Sequence, residues 1–342
     1  MPDLIVTNFN RNFTGVSATA AAVLRQQVDQ FDLRLVGHPL PGGPDPISYR
    51  EAVRLSRTPP PGKPFTLWHV RRNPEMRVAI WVRDVLRLPI RIVFTSAAIR
   101  HHSAYPRWLI SRMDAVIATT DQAATFVPNV RAVVPHGIET DRFTPAEDRA
   151  VAWAQTGYPG ARGVATIGRI RPEKGTDRFV DAMLDVLPNH PQTTALVIGR
   201  ATKEHQEFLN DLKRKTAKAH LNDRILFPGE IPSHVLPDLM RALSLVVQLP
   251  RYEGYGMTPL EGMASGVPFV ATDQGYYRQF SAQGTSGVIT NTAASEIDTL
   301  LSTPDRLSIM SKSARNSAQM HFSIDREASG IASVYEDLWA SV

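Results

Sequence analysis

The sequence predicts an α/β protein of two domains, each built on a parallel sheet with helices on both faces. Its 342 residues suffice for two hydrophobic cores. Short β-branched runs alternate with amphipathic segments in both halves, and a stretch rich in Gly, Pro and charge, 137–163, separates the two series. We therefore place the first domain at 1–145 and the second at 146–322. The amphipathic segment 323–342 is expected to form a C-terminal helix that packs back on the first domain.

Each series contains five short apolar runs that predict buried strands. In the first series they are 4–9, 66–70, 91–96, 115–120 and 131–135. Amphipathic helices are predicted at 17–29 and 76–88, and the proline-rich stretches 38–46 and 58–64 predict a long loop. In the second series the strands are 163–169, 194–200, 224–229, 243–250 and 267–272, with helices between them. Ligands of open parallel sheets bind beyond the carboxyl ends of the strands, so two sheets facing a central cleft place the expected active site there.

The composition excludes several classes of protein. The chain has no cysteine, which rules out disulfides and thiolate metal sites and fits a reducing compartment. The first residues lack the pattern of a secretory signal, and no run reaches the roughly 18–20 apolar residues of a membrane span. We expect a cytoplasmic protein that is soluble or peripheral to a membrane.

Positive charge is concentrated in the first domain. Residues 1–145 hold 18 Lys and Arg against 11 Asp and Glu, and of those cations only Lys63 is a lysine. The planar guanidinium of arginine suits bidentate binding of carboxylate or phosphate. Two interpretations remain open: an ordinary solvated basic surface, or a surface that faces an anionic phospholipid, glycan or nucleic acid.

The first motif is "GRIRPEKG", which follows a predicted strand and precedes a helix predicted from Thr176. Gly168 and Gly175 allow tight turns, while Arg169 and Lys174 bring two cations to the start of the helix. Helix N-terminal amides flanked by cations form a diphosphate site. The alternative is a strand-to-helix turn with exposed charges. The order of residues is not that of a Walker A loop, and no G-x-G-x-x-G follows any predicted strand.

The second motif, "RYEGYGMTPLEG", places two glutamates eight residues apart, Glu253 and Glu261. The "TPLE" within it has the form of a capping box, with Thr258 as the N-cap, which by itself accounts for Glu261. It does not account for Glu253 or for Gly254 and Gly256, which let backbone amides approach a ligand closely. The segment therefore predicts a second anion site on a loop of the same domain.

These motifs, followed by "MASGVPFVAT" and preceded by "VVPHGIETDRF", together resemble the retaining glycosyltransferases of family 4. In the first half, "WHVRRNPEM", "RIVFTSA" and "SRMDAVIATT" are similar to the lipopolysaccharide core mannosyltransferases of Gram-negative bacteria. The resemblance implies the GT-B fold, in which two Rossmann-like domains with parallel sheets face a central cleft. It also implies transfer of mannose from GDP-mannose to a lipopolysaccharide core acceptor with retention at the anomeric carbon.

The resemblance assigns roles to individual residues. Arg169 and Lys174 are expected to hold the donor diphosphate, Glu253 to face the sugar hydroxyls and Glu261 to bind the ribose. The other positions that the resemblance implies for donor binding are Gly15, Gly168, Arg200, Glu230, Ile231, Tyr255, Gly256, Met257 and Thr258. Arg200 and the segment 229–231 are expected near the base, and Gly15 beside the phosphate, although a simple turn glycine is equally compatible with Gly15.

One position departs from the family pattern. Where the family often has a histidine after a strand of the first domain, this chain has Ser96, and His101 and His102 follow a few residues later. His102 is the candidate catalytic histidine; the alternative is a surface histidine pair.

No D-x-D sequence and no histidines with ligand spacing are present, so we expect neither a metal nor a cofactor besides the nucleotide-sugar. The expected partners are that donor, an anionic glycolipid acceptor and the cytoplasmic face of the inner membrane, but not nucleic acid. The same fold with another donor, such as UDP-glucose for capsule or exopolysaccharide, is one alternative. A basic membrane- or nucleic-acid-binding protein without catalysis is another. A glycosidase is disfavoured because it leaves Arg169 and Lys174 without a role.

Overall fold

A computed structural model describes residues 1–12 and 14–341. The chain forms two compact units, one from Met1–Gly137 together with the segment from Phe322 onward, and one from Ile138–His321. The boundary falls before the predicted position 145. The cause is Arg315, whose Nη1 donates to the carbonyl oxygens of Thr140 and Phe143 at 3.0 and 2.8 Å and so holds this segment to the second unit.

The first unit contains a parallel sheet, which in the described residues has six strands in the order β2-β1-β3-β4-β5-β6. The strands are β1 (Leu4–Asn8), β2 (Leu33–Gly37), β3 (Thr66–Val70), β4 (Ile90–Ser96), β5 (Ala115–Ala118) and β6 (Val130–Val133). Its helices are α1 (Gly15–Gln27), α2 (Tyr49–Leu55), α3 (Asn73–Ile80), α4 (Ala104–Ser111) and α5 (Asp121–Ala124). Helix α3 continues directly into a π-helical turn, Trp81–Val85.

The second unit contains another parallel sheet, with six strands in its described residues in the order β12-β11-β10-β7-β8-β9. The strands are β7 (Arg162–Ile167), β8 (Thr193–Ile198), β9 (Ile225–Gly229), β10 (Leu243–Gln248), β11 (Phe269–Ala271) and β12 (Gly287–Ile289). The helices are α6 (Arg149–Gln155), α7 (Thr176–Val186), α8 (Gln206–Lys218), α9 (Leu236–Ala242), α10 (Met257–Ala264), α11 (Tyr277–Phe280), α12 (Ala293–Ser302) and α13 (Pro304–His321). No helix in the described part of the chain combines the length and the apolar character needed to cross a bilayer.

The predicted class, two parallel sheets with alternating helices, is confirmed. Two strands escaped prediction. β2 is a five-residue strand interrupted by an arginine, and β12 has only three residues, of which two are partly exposed. Both lie at the edge of their sheets, where a strand needs less apolar sequence because one side faces solvent.

The last helix, α14 (Ile324–Ala340), belongs to the first unit and fills its core. Tyr335 and Trp339 pack beside Phe31, with ring centroids 5.7 and 5.9 Å from it, and Trp339 Nε1 donates to the carbonyl oxygen of Phe65 at 3.1 Å. Because Trp339 is only 7% exposed, the helix closes this core rather than covering its surface.

We expect Trp339→Ala to lower the free energy of unfolding of the first unit by about 3–5 kcal/mol, the usual cost of deleting a buried aromatic ring. Differential scanning calorimetry measures the effect as a fall in the melting temperature of that unit. The matched control is Trp108→Ala, because Trp108 is 53% exposed and its loss should change stability little. Equal melting temperatures for the two variants would contradict the role of α14.

Candidate active site

The loops that follow β10, β7, β8 and β9 lie side by side, because these strands are neighbours in one parallel sheet. Backbone hydrogen bonds join adjacent loops: Ile170 N donates to Arg200 O at 3.1 Å, and Gly199 N donates to Gly229 O at 2.8 Å. The residues predicted for the donor in this half of the chain therefore form one row along the carboxyl edge of the second sheet.

The loops after β7 and β10 are tied together by Arg251. Its guanidinium forms a bidentate ion pair with Asp177, at 2.8 and 2.6 Å, and its backbone N–H donates to Glu173 O at 2.8 Å. The loops also touch at Gly175, which has a φ of +67°; a Cβ there would overlap the carbonyl oxygen of Leu249. Only glycine fits this turn, so the second Gly of "GRIRPEKG" is required by contact with the neighbouring loop.

The structure brings Lys174 and Glu253 together as an ion pair, with Nζ 2.6 Å from Oε2. The other carboxylate oxygen of Glu253 accepts from Gly254 N at 3.0 Å. Tyr277 also hydrogen-bonds to Glu253; burial raises the pKa of its phenol well above the ordinary value, and the negative charge and hydrogen bond of Glu253 raise it further. Three donors thus hold the side chain of Glu253 in place.

Gly256 fixes where helix α10 begins. Its φ is +94°, and a Cβ at this position would overlap the ring of Tyr277. The left-handed backbone of Gly256 makes it the N-cap, and the first turn of the helix has neither a capping side chain nor an acidic residue. Its N-terminal amides are therefore left for a ligand or solvent.

The predicted capping box is wrong. Thr258 is the second residue of α10, and its hydroxyl lies 3.5 Å from the carbonyl oxygen of Ile167, on another loop. Glu261 is then the fifth residue, one turn too far along to reach back to the N-cap. The N-cap lies two residues before Thr258 because Gly256 turns the chain against Tyr277.

The N-terminus of α7 differs from that of α10. Its first turn carries Asp177, whose carboxylate accepts hydrogen bonds from backbone amides of that turn and from Arg251. An acid at this position occupies the donors that a phosphate would use. Of the two anion sites that the motifs predict, the amides at the start of α10, with Lys174 beside them, are the more open one.

Glu261 is partly buried and faces Arg142. Burial raises the pKa of its carboxyl to about 7, while the positive charge of Arg142 opposes that rise. Arg142 donates from Nη2 to the carbonyl oxygen of Ser233 at 2.6 Å, in the segment that follows β9. Glu261 is thereby linked to the β9 side of the row, away from Glu253.

The far end of the row is open to solvent. Arg200 and Glu230 lie 3.8 Å apart across the ends of β8 and β9, with 75% and 67% of their side chains exposed, and Ile231 is partly buried beside them. At the other loop, Gly168 and Arg169 are exposed. These residues form a surface rather than a closed pocket.

Two predicted residues belong to the first unit. Gly15 is the first residue of α1 and is exposed, with no atom within 4 Å of a Cβ built on it. His102 is partly buried, and its Nε2 has no hydrogen-bond partner within residues 1–12 and 14–341. Burial together with the charge of Arg100 lowers its pKa. Ser96 is buried as the last residue of β4. Their roles toward the donor stay predictions.

The chain is similar in sequence to proteins that have been described. Residues 155–317 match the family model described as glycosyl transferases group 1. The chain is 40% identical to the lipopolysaccharide core biosynthesis mannosyltransferase LpsB of Rhizobium meliloti (strain 1021), over 98% of the chain and 97% of the relative. It is 39% identical to LpcC of Rhizobium leguminosarum bv. viciae, a protein with the same description, over 99% and 98%. This chain belongs to the group 1 glycosyltransferases.

Solved structures of other proteins have the same fold as this chain or its second half. Anabaena Alr3699/HepE, in complex with UDP and glucose, has a TM-score of 0.83 and 17% identity, over 98% of this chain and all of that one. The C-terminal domain of a group 1 glycosyltransferase, LpcC from Francisella tularensis, has a TM-score of 0.53 and 32% identity, over 55% of this chain and all of that one. The GT-B fold is confirmed.

Sequence reasoning missed one residue that shapes the site of the glycosyltransferase. Tyr277 lies in "GYYR", on the loop after β11, and contacts both Glu253 and Gly256. The signal was its position, since β11 neighbours β10 and the loops at their carboxyl ends must meet. Among the described residues, no group of three or more Asp, Glu and His side chains is arranged to hold a metal ion.

The raised pKa of Glu261 predicts a pH-dependent stability. Between about pH 4.5 and pH 7 the unfolded chain releases the Glu261 proton while the folded enzyme keeps it, so the free energy of unfolding falls as pH rises. The slope is about 1.4 kcal/mol per pH unit and the total on the order of 3 kcal/mol. Glu261→Gln removes this loss, so the variant should gain stability over the wild type between pH 5 and pH 7.5 in denaturant unfolding. The exposed Glu147→Gln variant is the control, and a Glu261→Gln difference that is the same at both pH values would refute the raised pKa.

Proposed function

We propose that this glycosyltransferase transfers mannose from GDP-mannose to a lipopolysaccharide core acceptor, with retention at the anomeric carbon. Both relatives that match nearly its whole length are described as lipopolysaccharide core biosynthesis mannosyltransferases. The observation that carries the proposal is the Lys174–Glu253 ion pair beside the uncapped start of α10, since it sets one cation and one carboxylate where a sugar diphosphate needs both.

The donor is proposed to lie along the row of loops. The diphosphate binds Lys174, Arg169 and the amides at the start of α10, and the mannose hydroxyls bind Glu253. Glu261, on the β9 side, accepts from the ribose, and Arg200 lies toward the base. As the glycosidic bond breaks, negative charge grows on the diphosphate, and fixed cations and amides stabilise it most at that moment. A metal ion is not required for this neutralisation.

Lys174 changes partner when the donor binds in this proposal. In the structure it pairs with Glu253, which places its ammonium between the two loops. When Lys174 turns to the diphosphate, Glu253 keeps its hydrogen bonds from Gly254 and Tyr277 and remains an acceptor for sugar hydroxyls. Binding thus exchanges the Lys174–Glu253 ion pair for one between Lys174 and the diphosphate, and sugar hydroxyls replace Lys174 as donors to Glu253.

The surroundings of Glu253 favour front-face attack over a covalent sugar–enzyme intermediate. A carboxylate that accepts from Gly254 and Tyr277 is a weakened nucleophile, because each hydrogen bond stabilises its charge. We propose that the acceptor hydroxyl attacks from the side of the leaving diphosphate, which takes the proton.

A donor screen tests the assignment. The purified enzyme with a core oligosaccharide should turn over GDP-mannose but not UDP-glucose or ADP-heptose, measured as release of the nucleotide diphosphate. Lys174→Met should lower kcat by about two to three orders of magnitude, the cost of removing a group that stabilises transition-state charge. Lys218→Met, at the exposed end of α8, is the matched control and should keep the wild-type rate. Turnover of UDP-glucose without turnover of GDP-mannose would refute the sugar assignment, and an unchanged Lys174→Met rate would refute the site.

We further propose that the first unit binds the cytoplasmic face of the inner membrane through an aromatic face on the π-helical turn and α4. Trp81, Val85, Tyr105 and Trp108 are 42%, 63%, 52% and 53% exposed. Tyr105 and Trp108 stack at 6.3 Å. Aromatic side chains with an apolar body and a polar edge are those that settle at the bilayer interface.

Ion pairs join the two parts of the aromatic face and leave positive charge in excess. Arg112 of α4 reaches Asp84 of the π-helical turn at 2.6 Å, and Arg83 and Arg91 share Asp114. Hydrogen bonds from Arg83 and Arg112 lower the pKa of Asp84 to about 2, so the network stays charged at neutral pH. Three arginines around two aspartates favour an anionic phospholipid surface as the occupant of this face.

Vesicle sedimentation measures this contact. The wild type should bind vesicles of phosphatidylglycerol and phosphatidylethanolamine more tightly than vesicles of phosphatidylcholine. The double variant Trp81→Ser, Trp108→Ser should lower the affinity about tenfold or more, from the apolar area that no longer enters the interface. Ile309→Ser, at a site of α13 that is 69% exposed, is the control and should bind as the wild type does. If the double variant binds the vesicles as tightly as the wild type does, the aromatic face is not the surface that contacts the membrane.

A further inference from the structure

Arg71 is a partly buried cation whose Nη1 is buried and has no hydrogen-bond partner in the described residues. It follows β3 directly, at the carboxyl edge of the sheet of the first unit, and no carboxylate of that described region forms an ion pair with it. Burial lowers the pKa of its guanidinium. Because Nη1 loses its hydration without gaining an acceptor, its burial costs stability in the free protein.

The nearest carboxylate on its own strand–helix segment, Glu75, is already engaged. Its Oε2 accepts from Thr7 Oγ1 at 3.0 Å and from the backbone N–H of Arg71 at 2.8 Å. Its Oε1 accepts from Phe9 N and Arg72 Nη1, both at 3.2 Å. Glu75 therefore holds the backbone of Arg71 in place without pairing with its side chain.

The second nearby carboxylate, Glu327 of α14, is engaged as well. It accepts from His136 Nδ1 at 2.7 Å and from Gly137 N at 2.8 Å. Both carboxylates stabilise the charge of Arg71 only from a distance. Two carboxylates thus lie near Arg71, but other groups hydrogen-bond to them and neither is paired with the Arg71 side chain.

The remaining groups near Arg71 supply no anion, and Arg72 adds positive charge. His69 Nδ1 is hydrogen-bonded to the hydroxyl of Tyr335, and His69 Nε2 lies 2.7 Å from Thr95 Oγ1. Burial, with the charge of Arg71, lowers the pKa of His69 well below its ordinary value, and burial raises the pKa of Tyr335. His69 and Tyr335 are therefore neutral partners of each other.

A second unsatisfied group lies on the same face of the sheet. Arg71 is two residues beyond His69 on β3, and Thr119 is two residues beyond Ile117 on β5; alternation along a strand places both on the side covered by α14. The hydroxyl of Thr119 is buried, with the residue 0% exposed, and finds no hydrogen-bond partner among the residues that the structure describes. Two buried donors without acceptors, near neutral side chains, are complementary to an oxyanion.

We propose that Arg71, with the hydroxyl of Thr119, binds an anionic group of the acceptor, a sugar carboxylate or a phosphate. The identity of the ligand as the acceptor rests on the proposed function. Arg71 is then a residue that sets acceptor specificity: its planar guanidinium takes two oxygens of the anion, and the energy lost by burying it unpaired is recovered when the acceptor binds.

The decisive variant is Arg71→Met, because the two possible roles of Arg71 predict opposite changes in stability. A ligand-binding arginine that is unpaired in the free protein should give a variant of equal or higher melting temperature, since an apolar side chain of similar length replaces a buried charge. The same variant should bind the acceptor about tenfold to a hundredfold more weakly, the loss expected for hydrogen bonds to a charged group. Arg131→Met, at an arginine whose side chain is 49% exposed, is the matched control for binding.

Binding is measured by isothermal titration calorimetry with purified lipopolysaccharide core oligosaccharide and no donor, so that an incorrect donor assignment leaves the measurement intact. Carboxyl-reduced and dephosphorylated oligosaccharides are titrated in parallel. Whichever modification removes the difference between wild type and Arg71→Met identifies the anion. Hydrolysis of the donor in the absence of acceptor should be the same for both proteins. A destabilised Arg71→Met with wild-type affinity, or a difference that survives both modifications, overturns the proposal.

Discussion

The carboxyl edge of the second sheet depends on the ion pair between Lys174 and Glu253, because this pair joins the loops after β7 and β10. Each loop is also held by the other: Arg251 pairs with Asp177, and Gly175 lets the two backbones meet. If either charge were absent, the partner would stay partly buried without compensation, which costs more than the pair contributes. The arrangement of this edge is therefore a consequence of two neighbouring parallel strands supplying opposite charges.

A third segment, the one that follows β11, fixes the position of the Glu253 carboxylate in this ion pair. Tyr277, from the loop after β11, hydrogen-bonds Glu253 and packs where any side chain at position 256 would lie. One phenol thus fixes the carboxylate and also forces the turn at Gly256 that starts α10 and leaves its first amides uncapped. The position of the Glu253 carboxylate and the exposure of the first amides of α10, which we propose bind the sugar and the phosphate, are coupled through the same ring. A change in one is therefore expected to alter the other.

Most of the strands and the parallel character of both sheets could be predicted from the sequence, because they depend on local patterns of apolar runs. The loops after β7 and β10 could be proposed as anion sites from their glycines and from the cations before a helix. The start of α10 could not be predicted. "TPLE" is compatible with a cap at Thr258, and only the contact between Gly256 and Tyr277, 21 residues further along the chain, decides otherwise. Arg71 escaped for the same reason: in "HVRRNP" it is one of two adjacent arginines, and only the folded chain shows that Arg72 is hydrogen-bonded while Nη1 of its neighbour is not.

The two units therefore use arginine and lysine in different ways. In the second unit Lys174 is paired with Glu253 in the free protein, so the donor, under the proposed function, replaces an existing partner of Lys174. In the first unit Arg71 is held beside carboxylates that are bound elsewhere, and its charge is compensated only in part. A paired cation costs the fold little stability, but its partner competes with the ligand. An unpaired cation costs stability and gives selectivity, because only an anionic ligand recovers that cost. A diphosphate is common to many nucleotide-sugars, so a paired cation suffices for the proposed donor. An acceptor that is recognised by one acidic group needs an unpaired cation.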